Sequence, residues 1–162
     1  MKQADVLKEF LESAGKKCHI AEESFDDPFY RHTNASLIPE DTDCAIVLGG
    51  DGTMLHAAHD LCERGIPVLG INMGTFGFLA QTEVSGLESA LKTLIDGNYS
   101  IEKRLMLSAD ICCGGNRKSA LAVNDVVVTK SRGSRMIALG VFVNDDLVGE
   151  YFGDGVIVST PT

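Results

Sequence analysis

The chain reads as an α/β domain built on a parallel sheet, followed by the start of an all-β domain, and three patterns carry that reading. Between residues 44 and 71 a short apolar run, a helical repeat and a second apolar run succeed one another, the order of a strand–helix–strand unit with both strands buried. Both strands run directly into glycines, Gly49-Gly50-Asp51-Gly52 after the first and Gly70 to Gly77 after the second. Past residue 100 the helical period gives way to short β-type runs punctuated by Gly, Asn, Asp and Ser. The division expected is an α/β domain over 1–99, carrying the glycine-framed aspartate, and an all-β domain beginning over 100–162 and incomplete at its C-terminus.

The elements follow in order. Residues 3–14 place Val6, Leu7, Phe10, Leu11 and Ala14 on one helical face, with Gly15 as the stop. A short strand is expected over 16–21. The segment 22–43 is rich in Asp, Glu, Pro, Thr and Asn without a sustained period and reads as a long exposed connection. Residues 44–48 form a buried strand, 52–64 a helix with Leu55, Ala58, Leu61 and Cys62 inward and Gly65 as its stop, and 67–71 a second buried strand. Helical spacing returns at Leu87, Ala90, Leu91, Leu94 and Ile95, closed by Gly97. Strands are then expected at 106–112, 120–123, 126–130, 136–143 and 147–152. The opening helix has no strand ahead of it and the run 156–162 stops mid-pattern, so a fragment is expected.

Composition narrows the partners. With 162 residues, 44% of them hydrophobic, the chain has enough material for one domain and part of another. A formal net charge of −9 argues against nucleic acid, whose affinity rests on Lys and Arg. A small phosphorylated ligand can still be held by main-chain amides and helix ends, and 17 glycines supply places where backbone meets ligand. No apolar run reaches membrane-spanning length and the N-terminus opens an amphipathic helix, so a cytoplasmic protein without a membrane partner is expected. Five cysteines without metal-ligand spacing read as reduced core residues, and His56 and His59, three apart without a second pair, do not make a metal site.

Four constellations bear on chemistry. The first is Gly49-Gly50-Asp51-Gly52, where glycines let N–H groups approach an anion and the following helix adds its partial positive charge. Asp51 among phosphate-facing amides would repel such a ligand unless it accepts a proton or holds a cation; a tight turn is the plain alternative. The second, 70–79, lies at the same sheet edge, where open parallel sheets bind ligands. There Phe76 and Phe78 are either core or a surface for a nucleobase. The third is Asn124-Asp125, two polar residues inside an apolar run, which close a turn or bond something in a cleft. The fourth is Asp154 between Gly153 and Gly155, with the same two readings.

Taken in order, the GGDGT turn at 49–53, the G-I-N-x-G-x-x-G-F-L segment at 70–79, the Asn124-Asp125 pair and the G-D-G-V-I-V-S-T-P-T ending at 153–162 resemble the ATP-dependent NAD kinase (polyphosphate/ATP-NAD kinase) family over nearly the whole chain. The resemblance implies a Rossmann-like sheet of the NAD kinase/diacylglycerol kinase type, and transfer of a phosphoryl group from ATP or polyphosphate to the adenosine-ribose 2′-hydroxyl of NAD. It also implies Mg²⁺ or another divalent cation arriving with ATP, and a homodimer or homotetramer. By the same resemblance Asp51 is the catalytic carboxylate and Gly49, Gly50 and Gly52 the phosphate-facing turn. Phe78 lies beside the adenine, Asn124, Asp125 and Asp154 make polar contacts to NAD, and Thr53, Leu55, Asn72 and Thr162 complete the nucleotide-contacting set. Asp125 stands where many members carry Glu, and the family's G-S-[TS]-A-Y-type segment would follow Thr162. Two other classes share part of the pattern: a lipid kinase of the diacylglycerol-kinase type, which has the GGDGT turn but a G-T-x-N-D-type segment where 70–79 stands, and a non-catalytic nucleotide-binding module.

Overall fold

The computed structural model describes residues 3–21, 23–27, 30–33, 37–74, 77, 79–80, 82–133 and 135–161. The chain divides into two compact units, Met1–Glu102 and Lys103–Thr162.

The first unit is a three-layer α/β arrangement. Its sheet holds β3 (Ala45–Gly49), β4 (Val68–Asn72) and β5 (Thr82–Glu83), all parallel, in that spatial order. Helix α2 (Asp51–Leu61) crosses from β3 back to β4 and continues into a 3₁₀ turn, Cys62–Arg64, that stops at Gly65 in the left-handed region (φ 62°). On the other face lie α1 (Gln3–Ser13) and α3 (Leu87–Ile95), whose Leu7, Leu11 and Leu91 are buried together against Ile46 and Leu48 of β3. Side chains alternate across a strand, so if Ile46 and Leu48 face α1 and α3, Val47 and Gly49 face α2. The glycines bear this out. A Cβ on Gly49 would stand 2.6 Å from the Thr53 side chain, and one on Gly70 2.6 Å from the sulfur of Met54, so the helix rests on the sheet at a distance only glycine permits.

Five expectations need correction, the first being that the cysteines are core residues: Cys112 and Cys113 of the second unit are exposed, and Cys18, Cys44 and Cys62 are half-buried. Residues 16–21 form no strand: the amide of Lys16 closes onto the Leu11 carbonyl, only Cys18 of the stretch reaches the core, and the rest is exposed. The acidic segment after it is not irregular throughout, since β1 (Glu23–Asp27) and β2 (Tyr30–Thr33) pair antiparallel with a register shift. Polar composition there masks local pairing that needs no apolar face. In α2 the buried stripe is Met54, Ala57 and Leu61, one position round from the expected one, leaving Leu55, Ala58 and Cys62 half-buried. The helix begins one residue earlier than its apolar pattern suggests, at Asp51, and the close approach at Gly70 turns Met54 onto the sheet. Two residues expected inward on α1 are exposed: Val6, which lies off the Leu7–Leu11 stripe, and Ala14, because the helix has ended at Ser13.

The second unit consists of antiparallel ladders. β6 (Met106–Cys113) pairs with β7 (Asn116–Val123), β9 (Ile137–Val143) with β10 (Asp146–Gly153), and β8 (Asp125–Thr129) with β11 (Gly155–Ser159). The first two are tight hairpins. Gly114 and Gly115 turn one with positive φ, and Asn144 (φ 55°) turns the other.

Candidate functional site

In the first unit the site is the C-terminal edge of the parallel sheet. β3 ends at Gly49, Gly50 is the N-cap of α2 in an extended conformation with no side chain capping it, and Asp51 is the first helical residue. The amides that open α2 have no carbonyl of their own helix to bond, so this edge presents N–H groups and the positive end of the helix dipole. A Cβ at Gly50 or Gly52 would meet nothing within 4 Å, so both glycines keep backbone open to a ligand. Thr53 and Leu55 are half-buried in the first turns.

Asp51 does not hang in solvent. Its Oδ1 accepts a hydrogen bond from the Leu79 amide at 3.0 Å, and Gly77 packs so tightly on the carboxylate that any Cβ there would overlap it. Gly77 and the Leu79 amide therefore hold the aspartate between them and fix its orientation. Leu79 and Gly77 were not anticipated in this role, since a backbone amide leaves no trace in sequence beyond the glycine that lets it come near.

Asn72 ends β4 directly opposite Gly49, and the Met73 amide bonds the Gly49 carbonyl at 3.3 Å. It is 3% exposed. Its Oδ1 accepts from the Gly74 amide at 3.1 Å, while its Nδ2 has no hydrogen-bond partner among the described residues. A buried donor left unmade costs about 1–3 kcal/mol. Phe76, Phe78 and Thr162 lie outside the described residues.

In the second unit Asn124 and Asp125 stand at one end of the β8–β11 ladder and Asp154 at the other. Asp125 pairs with Ser159 and Thr129 with Gly155, which separates the two ends by about 15 Å at ordinary strand rise. Asn124 is half-buried and left-handed (φ 72°), and its carbonyl accepts from the Thr160 amide at 2.7 Å. It closes the β7–β8 turn, one of the two roles the sequence left open. Asp154 bonds Lys130 twice: its carbonyl accepts from the Lys130 amide at 2.9 Å and its Oδ1 pairs with Lys130 Nζ at 2.7 Å. Among the described residues no group of three or more His, Cys, Asp or Glu could hold a metal ion. No helix among them is long and apolar enough to cross a membrane.

Comparison with known proteins now bears on this geometry. Residues 3–99 match the family model of the ATP-NAD kinase N-terminal domain. The NAD kinase of Lachnoclostridium phytofermentans is 48% identical over 159 residues, 96% of this chain and 55% of that one. The NAD kinase of Lachnospira eligens is 39% identical over the same share of this chain, and 54% of its own. Among solved structures, a yeast NADH kinase complexed with NADH superposes with a TM-score of 0.68 at 25% identity, covering 76% of this chain and 39% of that one. The chain spans about half the length of the curated relatives it matches.

Proposed function

The chain belongs to the NAD kinase family, and on that premise we propose that the protein carrying it transfers the γ-phosphoryl group of ATP, or a phosphoryl group of polyphosphate, to the 2′-hydroxyl of the adenosine ribose of NAD, giving NADP. The observation that carries the reading is the oriented carboxylate of Asp51 at the uncapped N-terminus of α2, between two open glycines.

Asp51 accepts the proton of the attacking hydroxyl. A carboxylate is too weak a base to ionise an alcohol beforehand, but in a loose phosphoryl-transfer transition state the proton leaves late. The work is then positioning and charge neutralisation. The Leu79 amide fixes the carboxylate, and the Gly50–Gly52 backbone with the α2 N-terminus receives phosphate oxygens. A divalent cation fits as cargo of the nucleotide, since Mg²⁺ usually keeps several waters and arrives bound to substrate phosphates rather than in a cage of protein groups. When bound it neutralises phosphate charge. Asn124 and Asp125 serve NAD from one end of the β8–β11 ladder and Asp154 from the other, a separation suited to two parts of an extended dinucleotide rather than one. A soluble cytoplasmic homodimer or homotetramer is the assembly we expect.

The test is direct. The full-length protein, given NAD, Mg²⁺ and either ATP or polyphosphate, produces NADP in an assay coupled to an NADP-specific dehydrogenase. No NADP with either donor overturns the reading.

A further inference from the structure

We propose that the side-chain amide of Asn72 is a phosphate-binding donor of this site, its Nδ2 hydrogen-bonding an anionic phosphoryl oxygen of the bound substrate. The inference deepens the phosphoryl-transfer reading and rests on it.

Three observations converge on Asn72. The first is chemical. The Gly74 amide can only donate, so the Asn72 atom facing it is the carbonyl oxygen, and the amide orientation is thereby settled with the NH₂ on the other side. That NH₂ is buried and, among the described residues, has no hydrogen-bond partner. Folded proteins rarely leave a buried donor unmade, and one left so calls for a partner that the fold does not supply: a water, an ion or a ligand. The second is its place in the sheet. Alternation puts Asn72 on the same face as Gly70, whose missing side chain makes room for Met54 of α2, and in register with Gly49, which makes room for Thr53. Asn72 therefore stands on the α2 face, one strand across from the glycine turn that opens α2. The third is the character of that end of the helix, where no side chain caps Gly50 and an anion is favoured. An acceptor oxygen arriving there satisfies Nδ2, and a phosphate supplies several.

The oxygen can come from the phosphoryl donor or from the diphosphate of NAD, and titration separates them. Full-length Asn72→Leu and Asn72→Asp are compared with the wild type by calorimetry, using sodium tripolyphosphate and NAD in separate titrations. The melting temperature of each variant is taken without ligand. Leucine is close in size and deletes both the orphan donor and its oxygen. Aspartate keeps an acceptor for Gly74 and turns the donor side into an acceptor, so it serves should the leucine variant not fold. Affinity for one of the two ligands is expected to fall about 10-fold or more, the scale of a hydrogen bond to a charged group, with little change in the unliganded melting temperature. Loss for tripolyphosphate places the contact on the donor, and loss for NAD places it on the dinucleotide. Unchanged affinity for both in a folded variant overturns the proposal. Failure of the wild type to form NADP would instead strike the phosphoryl-transfer reading, so the two failures are told apart.

Discussion

At the scale of single residues the site depends on how firmly Asp51 is held. Asp51→Asn is expected to leave NAD binding nearly intact and to lower kcat by roughly 10²-fold or more, the range for a lost general base. A variant retaining over about half the wild-type NADP-forming rate would reduce Asp51 to a turn residue. Gly77 and Gly74 provide a matched pair, because a Cβ at Gly77 overlaps the Asp51 carboxylate while one at Gly74 meets nothing within 4 Å. Gly77→Ala should therefore cost on the order of 10-fold or more in kcat through displacement of the base, and Gly74→Ala far less. Equal rates for the two in the coupled assay would show that the close packing of Gly77 does not govern the placement of Asp51. Asn124 needs a different design because its φ of 72° strains any ordinary replacement. Asn124→Gly keeps the turn and deletes only the amide, so weaker NAD binding at an unchanged melting temperature identifies the side chain as a contact. The converse in Asn124→Ala, a lowered melting temperature with NAD affinity kept, would assign it to the turn alone.

At the scale of elements, the regular parts of the chain were legible where apolar period and a left-handed glycine agree. Gly15, Gly65 and Gly97 each follow a helix with φ between 62° and 75°, as their positions suggested. What was not legible lacks an apolar signature. The β1–β2 hairpin is acidic, β5 is two residues long, and 16–21 has a strand's composition but pairs with no strand among the described residues. For the candidate site, the sequence put the glycine-framed Asp51 and the 70–79 segment at one sheet edge, whereas the Leu79 amide was not legible, because the aspartate it meets lies 28 residues away. The β6–β7 hairpin offers a test of element electrostatics. Asp110 accepts from Arg117 and from Ser119 at 2.6 Å each, and these bonds hold its carboxyl below the usual carboxylate range. A folded-state value below the unfolded one stabilises at pH above the unfolded value and is lost as pH falls through the folded one. Titration of Asp110 by NMR should show that lowered midpoint, and Arg117→Ala with Ser119→Ala should return it toward 3.8. An unmoved midpoint would mean that the exposed bonds are not populated in solution.

At the scale of the whole molecule, the two units differ in how they bury apolar surface. The first closes a core in which Leu61, Ile71 and Leu91 are almost wholly inaccessible. In the second, successive residues are exposed together: Val127 with Val128, Phe142 with Val143, Leu147 with Val148, Ile157 with Val158, while Phe152 is 76% exposed. Neighbours along a strand point to opposite faces, so the β8–β11 and β9–β10 ladders leave apolar side chains uncovered on both sides. Two-stranded ladders are marginal in water without a covered face, and apolar surface on this scale calls for a partner layer. A polypeptide of residues 1–162 alone is therefore expected to self-associate and to form no NADP, although the glycine turn and α2 could still hold nucleotide weakly. Sedimentation velocity and binding of a hydrophobic dye, run beside the coupled assay, check this. A monodisperse monomer that binds no dye would show that the ladders are self-sufficient, and robust NADP formation by that polypeptide would show that these 162 residues contain every group the reaction needs.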